Sequence, residues 1–252
     1  MYKWLFYIVL FSPAASAFAQ DQLNPERPGE TRTPELVKGN HLQAEAGFRK
    51  ERQDPSHYLY QHPEALLRFG LFNALELRME LTSQTLKDNV NKQSSSGIAP
   101  VYFGIKAKIL PEYKWLPSIG ALAQVGFPSL ASGDFFVDGI PFEFRTLFNN
   151  NITDKFSLQY NVGVSWNETN IKRDNKQWMY TIAPVLKLND TWQVFIEEYA
   201  FLRNGTGAEH YFDGGIQYFF KKDFALDALN HPDRVLQSGR VTLNQLQRVS
   251  LA

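Results

Sequence analysis

The chain has 252 residues, with 26 basic and 26 acidic side chains and no cysteine. The lack of cysteine excludes a disulfide framework, a thiolate metal site and a cysteine nucleophile. The net charge of zero argues against nucleic-acid binding, which needs a basic surface. Aromatic residues make up 14% of the chain, which is more than an ordinary core needs.

The first nineteen residues predict export. Lys3 precedes the apolar run 5–11, a Ser-Pro break and the small-residue segment 17–19. This order of a charge, a short apolar core and an A-x-A site is typical of a secretory signal peptide. We therefore assign 1–19 as a signal peptide that is cleaved after Ala19. The seven-residue apolar run is too short for a membrane anchor, which needs about 20 residues.

A polar, Pro-rich leader at 20–38 precedes a region, 39–229, in which apolar and polar residues alternate. The clearest segment is 156–166, where every second residue is apolar. Strict alternation of this kind predicts a strand with one apolar and one polar side. The chain contains eleven such segments. Most are about ten residues long, which exceeds the usual soluble strand and matches a membrane strand.

Charged and amide side chains occupy the polar face of these strands. A soluble β-sandwich also has one apolar and one polar face, so this pattern alone leaves that alternative open. In a barrel the polar face would line the lumen. The charges would then either fill and wet the lumen as ion pairs or set its selectivity, as charge rings do in pores. The lumen-facing candidates are Arg68, Glu76, Arg78, Glu80, Lys106, Lys108, Glu143, Arg145, Gln159, Asn161 and Glu197.

Aromatic residues at the predicted strand ends favour the barrel over the sandwich. Amphipathic rings collect where lipid meets water and form the two girdles of a membrane barrel. The girdle candidates are Phe127, Phe148, Trp166, Trp178, Trp192 and Phe220.

The predicted connections alternate in length. Tight turns such as 73–74 and 189–190 alternate with longer polar loops. This rhythm is typical of an up-and-down barrel with short periplasmic turns. The predicted fold is all-β, an up-and-down antiparallel transmembrane β-barrel of about 12 strands, of which eleven are clear. The predicted long loops are 50–63, 84–99, 128–140, 167–176 and 203–210.

The leader and the first strand resemble the opening of the MetA-pathway of phenol degradation family of exported proteins. The shared features include a Pro-Glu before a Lys-Gly turn and a first strand that reads Leu-Gln-x-Glu-x-Gly-Phe at 42–48. The resemblance covers about residues 24–228 and implies an outer-membrane β-barrel with a transport function. The leader residues that carry it are Arg27, Pro28, Pro34 and Glu35.

The end of the chain departs from this family pattern, in which the last strand ends in an aromatic residue. Asn230-His231-Pro232-Asp233 interrupts the eleventh strand, and the sequence ends Leu251-Ala252. An odd number of strands is not expected in a single-chain bacterial barrel. Either 240–251 forms a poor closing strand, or the gene has lost its true C-terminus. We therefore separate 230–252 from the barrel as an atypical tail or poor closing strand.

The sequence gives little sign of catalysis or metal binding. His57 and His62 fall in a predicted loop, and no pair of histidines has metal-ligand spacing on a recognisable element. His210 is the one candidate for a barrel hydrolase with a catalytic group in its wall, and no serine can be matched to it. No catalytic residue, metal or cofactor is expected.

Together these observations predict an outer-membrane channel for the passive passage of small, apolar or aromatic molecules. The expected partners are outer-membrane lipid, the outer-membrane insertion machinery and small hydrophobic or aromatic solutes, with no nucleic acid. The leader would be either a plug in the barrel mouth or a periplasmic tail. A non-transporting structural or adhesive barrel and a barrel hydrolase remain as alternatives.

Overall fold

The computed structural model describes residues 23–52, 56–137, 139–166, 176–203, 207–221, 223–237 and 240–251, with the side chains of 52, 133 and 231–251 left out. The predicted signal peptide, 1–19, and its cleavage site at Ala19 lie outside the described residues. No helix in the described part of the chain is long and apolar enough to cross a membrane.

Nearly all of the regular structure is β-strand, as the alternating sequence predicts. The strands are β1 (Leu42–Arg52), β2 (His57–Leu71), β3 (Leu75–Asp88), β4 (Gln93–Ile98), β5 (Val101–Leu110), β6 (Ser118–Phe127), β7 (Phe142–Asn151), β8 (Phe156–Trp166), β9 (Lys176–Lys187), β10 (Trp192–Arg203), β11 (Gly207–Lys221), β12 (Phe224–Gln237) and β13 (Arg240–Leu251). Two short 3₁₀ turns, Pro128–Leu130 and Gly133–Phe135, lie between β6 and β7.

The sheet closes on itself as an up-and-down antiparallel barrel. Strands β4 and β5 both pair with β3 and together form one interrupted barrel strand, so the described residues contain twelve barrel strands. Strand β13 pairs with β12 on one side and with β1 on the other. A closed sheet presents no strand edge to lipid, which offers no hydrogen bonds to a bare backbone. The predicted all-β barrel of about 12 strands is confirmed.

The C-terminal segment belongs to the sheet. Strand β12 continues through the Asn-His-Pro-Asp segment to Gln237, and β13 begins at Arg240. The register of β13 places Ser250 opposite both Gly47 of β1 and Asp227 of β12. The twelfth barrel position is therefore filled by the backbone of 240–251.

Three of the predicted long loops are wrong. The segment 50–63 contains the end of β1 and the start of β2, while 84–99 contains the end of β3 and all of β4. Strand β11 begins at Gly207, inside the predicted loop 203–210. Beyond the membrane both faces of a sheet meet water, so the strands continue where the alternation of apolar and polar residues ends. The predicted loop at 128–140 does separate β6 from β7.

The barrel has two ends, which we name by their connections. The turn end carries the connections 72–74, 111–117, 152–155 and 188–191, and the loop end carries 89–92 and 128–141. Phe127, Trp166 and Trp178 lie near the loop end of β6, β8 and β9. Phe148, Trp192 and Phe220 lie near the turn end of β7, β10 and β11, and Phe148 stacks on Tyr160 at 4.9 Å. The six rings thus form two rows on the outer face.

Candidate functional site

The lumen contains the polar leader. Near the turn end, the backbone N–H of Asn40 donates to the carbonyl of Gly70 at 2.8 Å, and the N–H of Val37 donates to Glu76 at 2.9 Å. The side-chain amide of Asn24 donates to the hydroxyl of Thr33 at 2.8 Å, so the chain runs into the barrel and returns. We call residues 23–38 the leader hairpin and residues 27–32 its tip.

Glu26 is the centre of a buried group of charges. This carboxylate is 3% exposed and forms ion pairs with Arg78 and Lys106, while Arg68 lies 3.5 Å away. Arg68 also donates to Glu76 at 2.9 Å. Charges inside a protein must be paired or they destabilise it, and here Glu26 and Glu76 each meet several cations. The ion cluster consists of Glu26, Glu45, Glu76, Glu80, Arg32, Arg68, Arg78 and Lys106.

Side chains of the barrel also satisfy the backbone of the leader hairpin, which forms no sheet of its own. Glu45 accepts hydrogen bonds from the N–H groups of Glu26 at 3.0 Å and Arg27 at 3.1 Å. Lys106 donates to the carbonyl of Glu35. Buried backbone groups need such partners, so the wall formed by β1, β2, β3 and β5 is built to hold this segment.

The tip reaches the opposite wall. Glu197 of β10 accepts hydrogen bonds from the N–H of Glu30, at 2.8 Å, and from the N–H of Thr31. Asn161 of β8 accepts from the N–H of Arg32 at 2.7 Å and donates to its carbonyl at 2.8 Å. Since the tip contacts β8 and β10 while Glu26 contacts β2, β3 and β5, the leader hairpin spans the lumen.

The two central carboxylates of the leader hairpin are held in the charged form. Burial raises the pKa of Glu30, but the surrounding guanidinium groups, Arg32 foremost, outweigh burial and lower the pKa to about 2. Burial acts in the same direction on Glu26, and nearby cations, Arg68 foremost, hold its pKa well below the usual value. Both groups therefore remain anionic at neutral pH.

An aromatic stripe lines the lumen on β10 and β11. Tyr199 and Tyr211 stack at 5.1 Å with their planes 10° apart. The ring of Phe201 lies 5.7 Å from Tyr199 and 5.9 Å from Tyr211. These three rings form an aromatic cluster in a lumen otherwise rich in charges and amides, and Glu197 and Asp213 lie between this cluster and the rings of Phe195 and Phe219. The stripe consists of Phe195, Tyr199, Phe201, Tyr211 and Phe219.

The free space in the lumen narrows at the tip. A cavity of about 550 Å³ lies towards the turn end, between the leader hairpin and residues that include Gln193 and Phe219. A second cavity, beside the tip, is lined by Phe195 and Glu197 and has a volume of about 40 Å³. A space of the first size can hold a small organic molecule, whereas the second holds little more than water.

Seven of the eleven lumen-facing candidates form two groups, and the other four make separate contacts. Arg68, Glu76, Arg78, Glu80 and Lys106 join the ion cluster. Arg145 donates to Glu143 at 2.6 Å and to the carbonyl of Glu30 at 2.8 Å. Asn161 and Glu197 hold the tip, Gln159 lines the larger cavity, and Lys108 pairs with Glu35 at 2.8 Å.

Sequence reasoning missed the acids that complete these groups. Glu26, Glu30 and Glu45 were not singled out, and neither was Glu64, which pairs with Arg27 of the leader. The available signal was charge balance. The inward positions of β2, β3 and β5 carry an excess of basic residues, and a narrow lumen requires counter-charges.

Pro28 and Pro34 of the family motif also belong to the leader hairpin. Pro28 lies in the tip and lines the smaller cavity. Pro34 is fully buried, and its Cα and Cβ lie 3.0 and 3.1 Å from the place where a Cβ on Gly120 would stand. A side chain larger than hydrogen at 120 would therefore displace the leader.

The histidines are placed differently from the expectation. His57 and His62 lie in β2 and not in a loop, with Asp88 and Thr85 as their respective partners. No group of three or more potential metal ligands occurs in the described part of the chain. His210 lies on the outer face of β11 beside Glu198 and Tyr180.

A model of the family described as "Putative MetA-pathway of phenol degradation" matches residues 26–229. The chain belongs to this family. The match begins at Glu26 and so includes most of the leader hairpin as well as the barrel. No curated protein matches the chain.

Two solved structures share the fold. An outer-membrane channel from Pseudomonas putida F1 is 11% identical, with a TM-score of 0.68, and the alignment covers 89% of this chain and 98% of that one. The NanC porin is 12% identical, with a TM-score of 0.57, and the alignment covers 84% of this chain and 98% of that one. The first is described as a channel and the second as a porin. The family and the shared fold identify this protein as an outer-membrane β-barrel.

Proposed function

We propose that the protein is a channel for the passive passage of small, apolar or aromatic molecules across the outer membrane, and that the leader hairpin closes it. The observation that carries this proposal is the aromatic stripe, which runs past the tip and extends to the larger cavity at Phe219. Polar side chains would suffice to wet a lumen, so a cluster of rings on one side of it favours solutes with apolar surface.

The tip controls the narrow part of this route. Its contacts with Glu197 and Asn161 close the gap between the leader hairpin and β8–β10. Release of these contacts would join the space beside Phe195 to the larger cavity, while Glu26 keeps the rest of the leader hairpin in place. No covalent chemistry on the solute is required, and the native substrate need only fit beside the rings.

The same proposal places the barrel in lipid. Its outward apolar residues contact the outer membrane, and the short turn end faces the periplasm, as in other up-and-down barrels. Delivery to the membrane would depend on the outer-membrane insertion machinery, which assembles barrels of this kind.

The ion cluster supports one competing function, that of a structural barrel that transports nothing. A lumen crossed by paired charges could be permanently closed. The two functions differ in a simple respect, because only a channel carries current.

Planar-bilayer recordings of the whole barrel separate them. We expect current steps that are interrupted when benzyl alcohol is added and are not interrupted by glycerol. Tyr199→Ala should shorten the interruptions by about threefold to tenfold, the effect of losing one aromatic contact. Gln124→Ala, on the opposite side of the lumen, is the matched control and should leave them unchanged.

Two results would contradict the proposal. Absence of current from both the wild type and a variant with a weakened tip would show a non-transporting barrel. Equal interruption by benzyl alcohol and glycerol would show a channel without a preference for aromatic solutes. Heat-modifiability on a gel verifies that every variant is a closed barrel.

A further inference from the structure

A group of ionisable side chains lies on the outer face of the barrel, away from the lumen. The hydroxyl of Tyr180 on β9 donates to Oε1 of Glu198 on β10 at 2.8 Å, and Nδ1 of His210 on β11 lies 3.0 Å from the same oxygen. We call these three residues the polar trio. Tyr199, the neighbour of Glu198 in the chain, is 6% exposed and faces the lumen, so Glu198 faces outward.

The register explains how the polar trio assembles. Ala200 of β10 pairs with Tyr180 on one side and with His210 on the other. Its methyl group leaves room for both larger side chains to lie over it, and Ala200 is completely buried. Three adjacent strands therefore place a phenol, an imidazole and a carboxylate at one point of the wall.

The surroundings of the polar trio are those of a lipid-facing surface. Glu198 pairs with Ile182 and Phe212, which are 37% and 41% exposed, and Ile196 on the same strand is 66% exposed. Ionisable groups in contact with hydrocarbon are costly and are usually found where they serve a function. A purely structural wall would carry apolar residues at these positions.

The polar trio also has unused capacity for hydrogen bonds. Within the described residues, the second carboxylate oxygen of Glu198 and Nε2 of His210 have no hydrogen-bond partner. The two side chains are 28% and 32% exposed, so a ligand in the surrounding lipid can reach them. The chemistry fits a hydroxyl or amide group at the depth where the polar part of a lipid meets its acyl chains.

A cation lies on the outer face of β9, closer to the loop end than the polar trio. Lys176, at the loop end of β9, lies over the rings of Trp178 at 4.7 Å and Trp166 at 5.9 Å. The order along β9, towards the membrane, is then Lys176, Trp178, Tyr180 and Ile182. An ammonium group at the level of the head groups attracts anionic lipid.

We propose that this face of β8–β11 binds a phosphorylated glycolipid of the outer leaflet whose acyl chains carry hydroxyl groups. Lys176 meets the phosphate, Trp166 and Trp178 hold the ammonium and pack on the sugar, and the polar trio hydrogen-bonds the hydroxyl or amide groups below. The acyl chains lie on Ile182, Ile196 and Phe212. The site is separate from the lumen and does not depend on transport.

A second pairing of lysines with rings supplies the control. At the loop end of β1–β3, Lys87 lies 4.9 Å from the ring of Tyr60, and Lys50 lies 5.0 Å from that of Tyr58. This patch has the same kind of cation–ring contact as Lys176. Its neighbouring imidazole and carboxylate, His57 and Asp88, pair on the loop-end side of Tyr58 and Lys87 and not on the membrane side. Lys87→Gln thus removes the same charge from the same end of the barrel without touching the proposed site.

The test uses the whole barrel in phosphatidylcholine nanodiscs that contain a small fraction of bis-phosphorylated lipid A, with retained lipid counted by native mass spectrometry. We expect Lys176→Gln to reduce retention by about fivefold, the contribution of one lysine near an anionic surface. Glu198 contacts the part of the lipid below the phosphate. Glu198→Gln should therefore reduce the retention of bis-phosphorylated and of mono-phosphorylated lipid A by the same factor. Lys87→Gln should have less than a twofold effect.

Three results would overturn the proposal. Equal retention by the wild type, Lys176→Gln and Glu198→Gln would show that the polar trio only joins strands. Equal losses with Lys176→Gln and Lys87→Gln would show a general attraction to charge. Displacement of the lipid by millimolar inorganic phosphate would show a site for the free anion. If the Glu198→Gln variant is not heat-modifiable, it is not a closed barrel and its lipid retention is not informative. The comparison of Lys176→Gln with Lys87→Gln then decides whether the proposal holds.

Discussion

The leader hairpin meets the β1–β5 wall through buried charges and the β8–β10 wall through hydrogen bonds. On the first side, Glu26 is enclosed by Arg68, Arg78 and Lys106. On the second side, Asn161 and Glu197 bind backbone groups of the tip. Removal of one partner from a buried ion pair typically costs about 3–5 kcal/mol, whereas a typical hydrogen bond contributes about 0.5–1.5 kcal/mol and one to a charged group about 1.5–3 kcal/mol.

The two walls therefore have different roles. The contacts with the β1–β5 wall anchor the leader hairpin, and the contacts with the β8–β10 wall close the channel. The ion cluster is costly to break because its central charges are fully buried. The contacts of the tip with β8 and β10 cost less, and the other ties of the tip are the partly exposed ion pairs of Glu30 with Arg49 and Arg145 and of Arg27 with Glu64. A leader hairpin held with equal strength on both sides would either keep the channel closed permanently or leave the barrel altogether. The asymmetry lets the tip move while residues near Glu26 remain bound.

The largest effect is expected from Glu26→Gln. The change keeps the shape of the side chain and leaves an unbalanced positive charge beside Arg68, Arg78 and Lys106. We expect the free energy of unfolding, measured by urea titration in detergent, to fall by about 3 kcal/mol or more. Trypsin should then cut the leader at Arg27 or Arg32. A loss below about 1 kcal/mol with a protected leader would show that the ion cluster is not the anchor.

A smaller effect is expected at the tip. Asn161→Ala removes both hydrogen bonds to Arg32 and leaves the ion cluster intact. We expect a rise of about fivefold to tenfold in the fraction of time that the channel conducts, since about 1–1.4 kcal/mol of closure is lost. Asn149→Ala is the matched control, because the Asn149 side chain donates to Asn151 and not to the leader. Unchanged gating in Asn161→Ala would contradict the assignment of closure to the tip.

The smallest effect is expected from Glu35→Gln, which also controls for Glu26→Gln. Glu35 is in the same leader hairpin, but its ion pair with Lys108 has side chains that are 45% and 30% exposed. Such a pair contributes about 0–1 kcal/mol. The urea midpoint and the gating should therefore stay close to those of the wild type. A loss as large as that of Glu26→Gln would mean that position within the leader, and not burial of charge, decides stability.

The barrel could be predicted from the sequence because a wall between lipid and lumen forces alternation on every strand. The same rule placed Arg68, Glu76 and Lys106 on one face. It failed beyond the membrane, where 84–99 is polar on both faces and still forms strands. It also failed for the leader, since an irregular segment held by side chains leaves no periodic signal.

The partners of individual residues could not be predicted because they depend on strand register. Four inward basic residues on β2, β3 and β5 (Arg68, Arg78, Lys106 and Lys108) face three inward acids on the same strands (Glu64, Glu76 and Glu80). This imbalance could have identified Glu26 as a counter-charge. The meeting of His210 with Glu198 and Tyr180 requires the pairing of three strands around Ala200, and no spacing in the sequence encodes it.

The most direct test of closure by the tip is a reversible covalent link between the leader and the wall. The hydroxyls of Thr31 and Thr181 are 2.8 Å apart, and the chain has no cysteine of its own, so the double variant Thr31→Cys, Thr181→Cys forms one defined disulfide. We expect bilayer current to cease after oxidation and to return after reduction. Current that is the same in both states would contradict the account, because solutes would then pass without any movement of the tip.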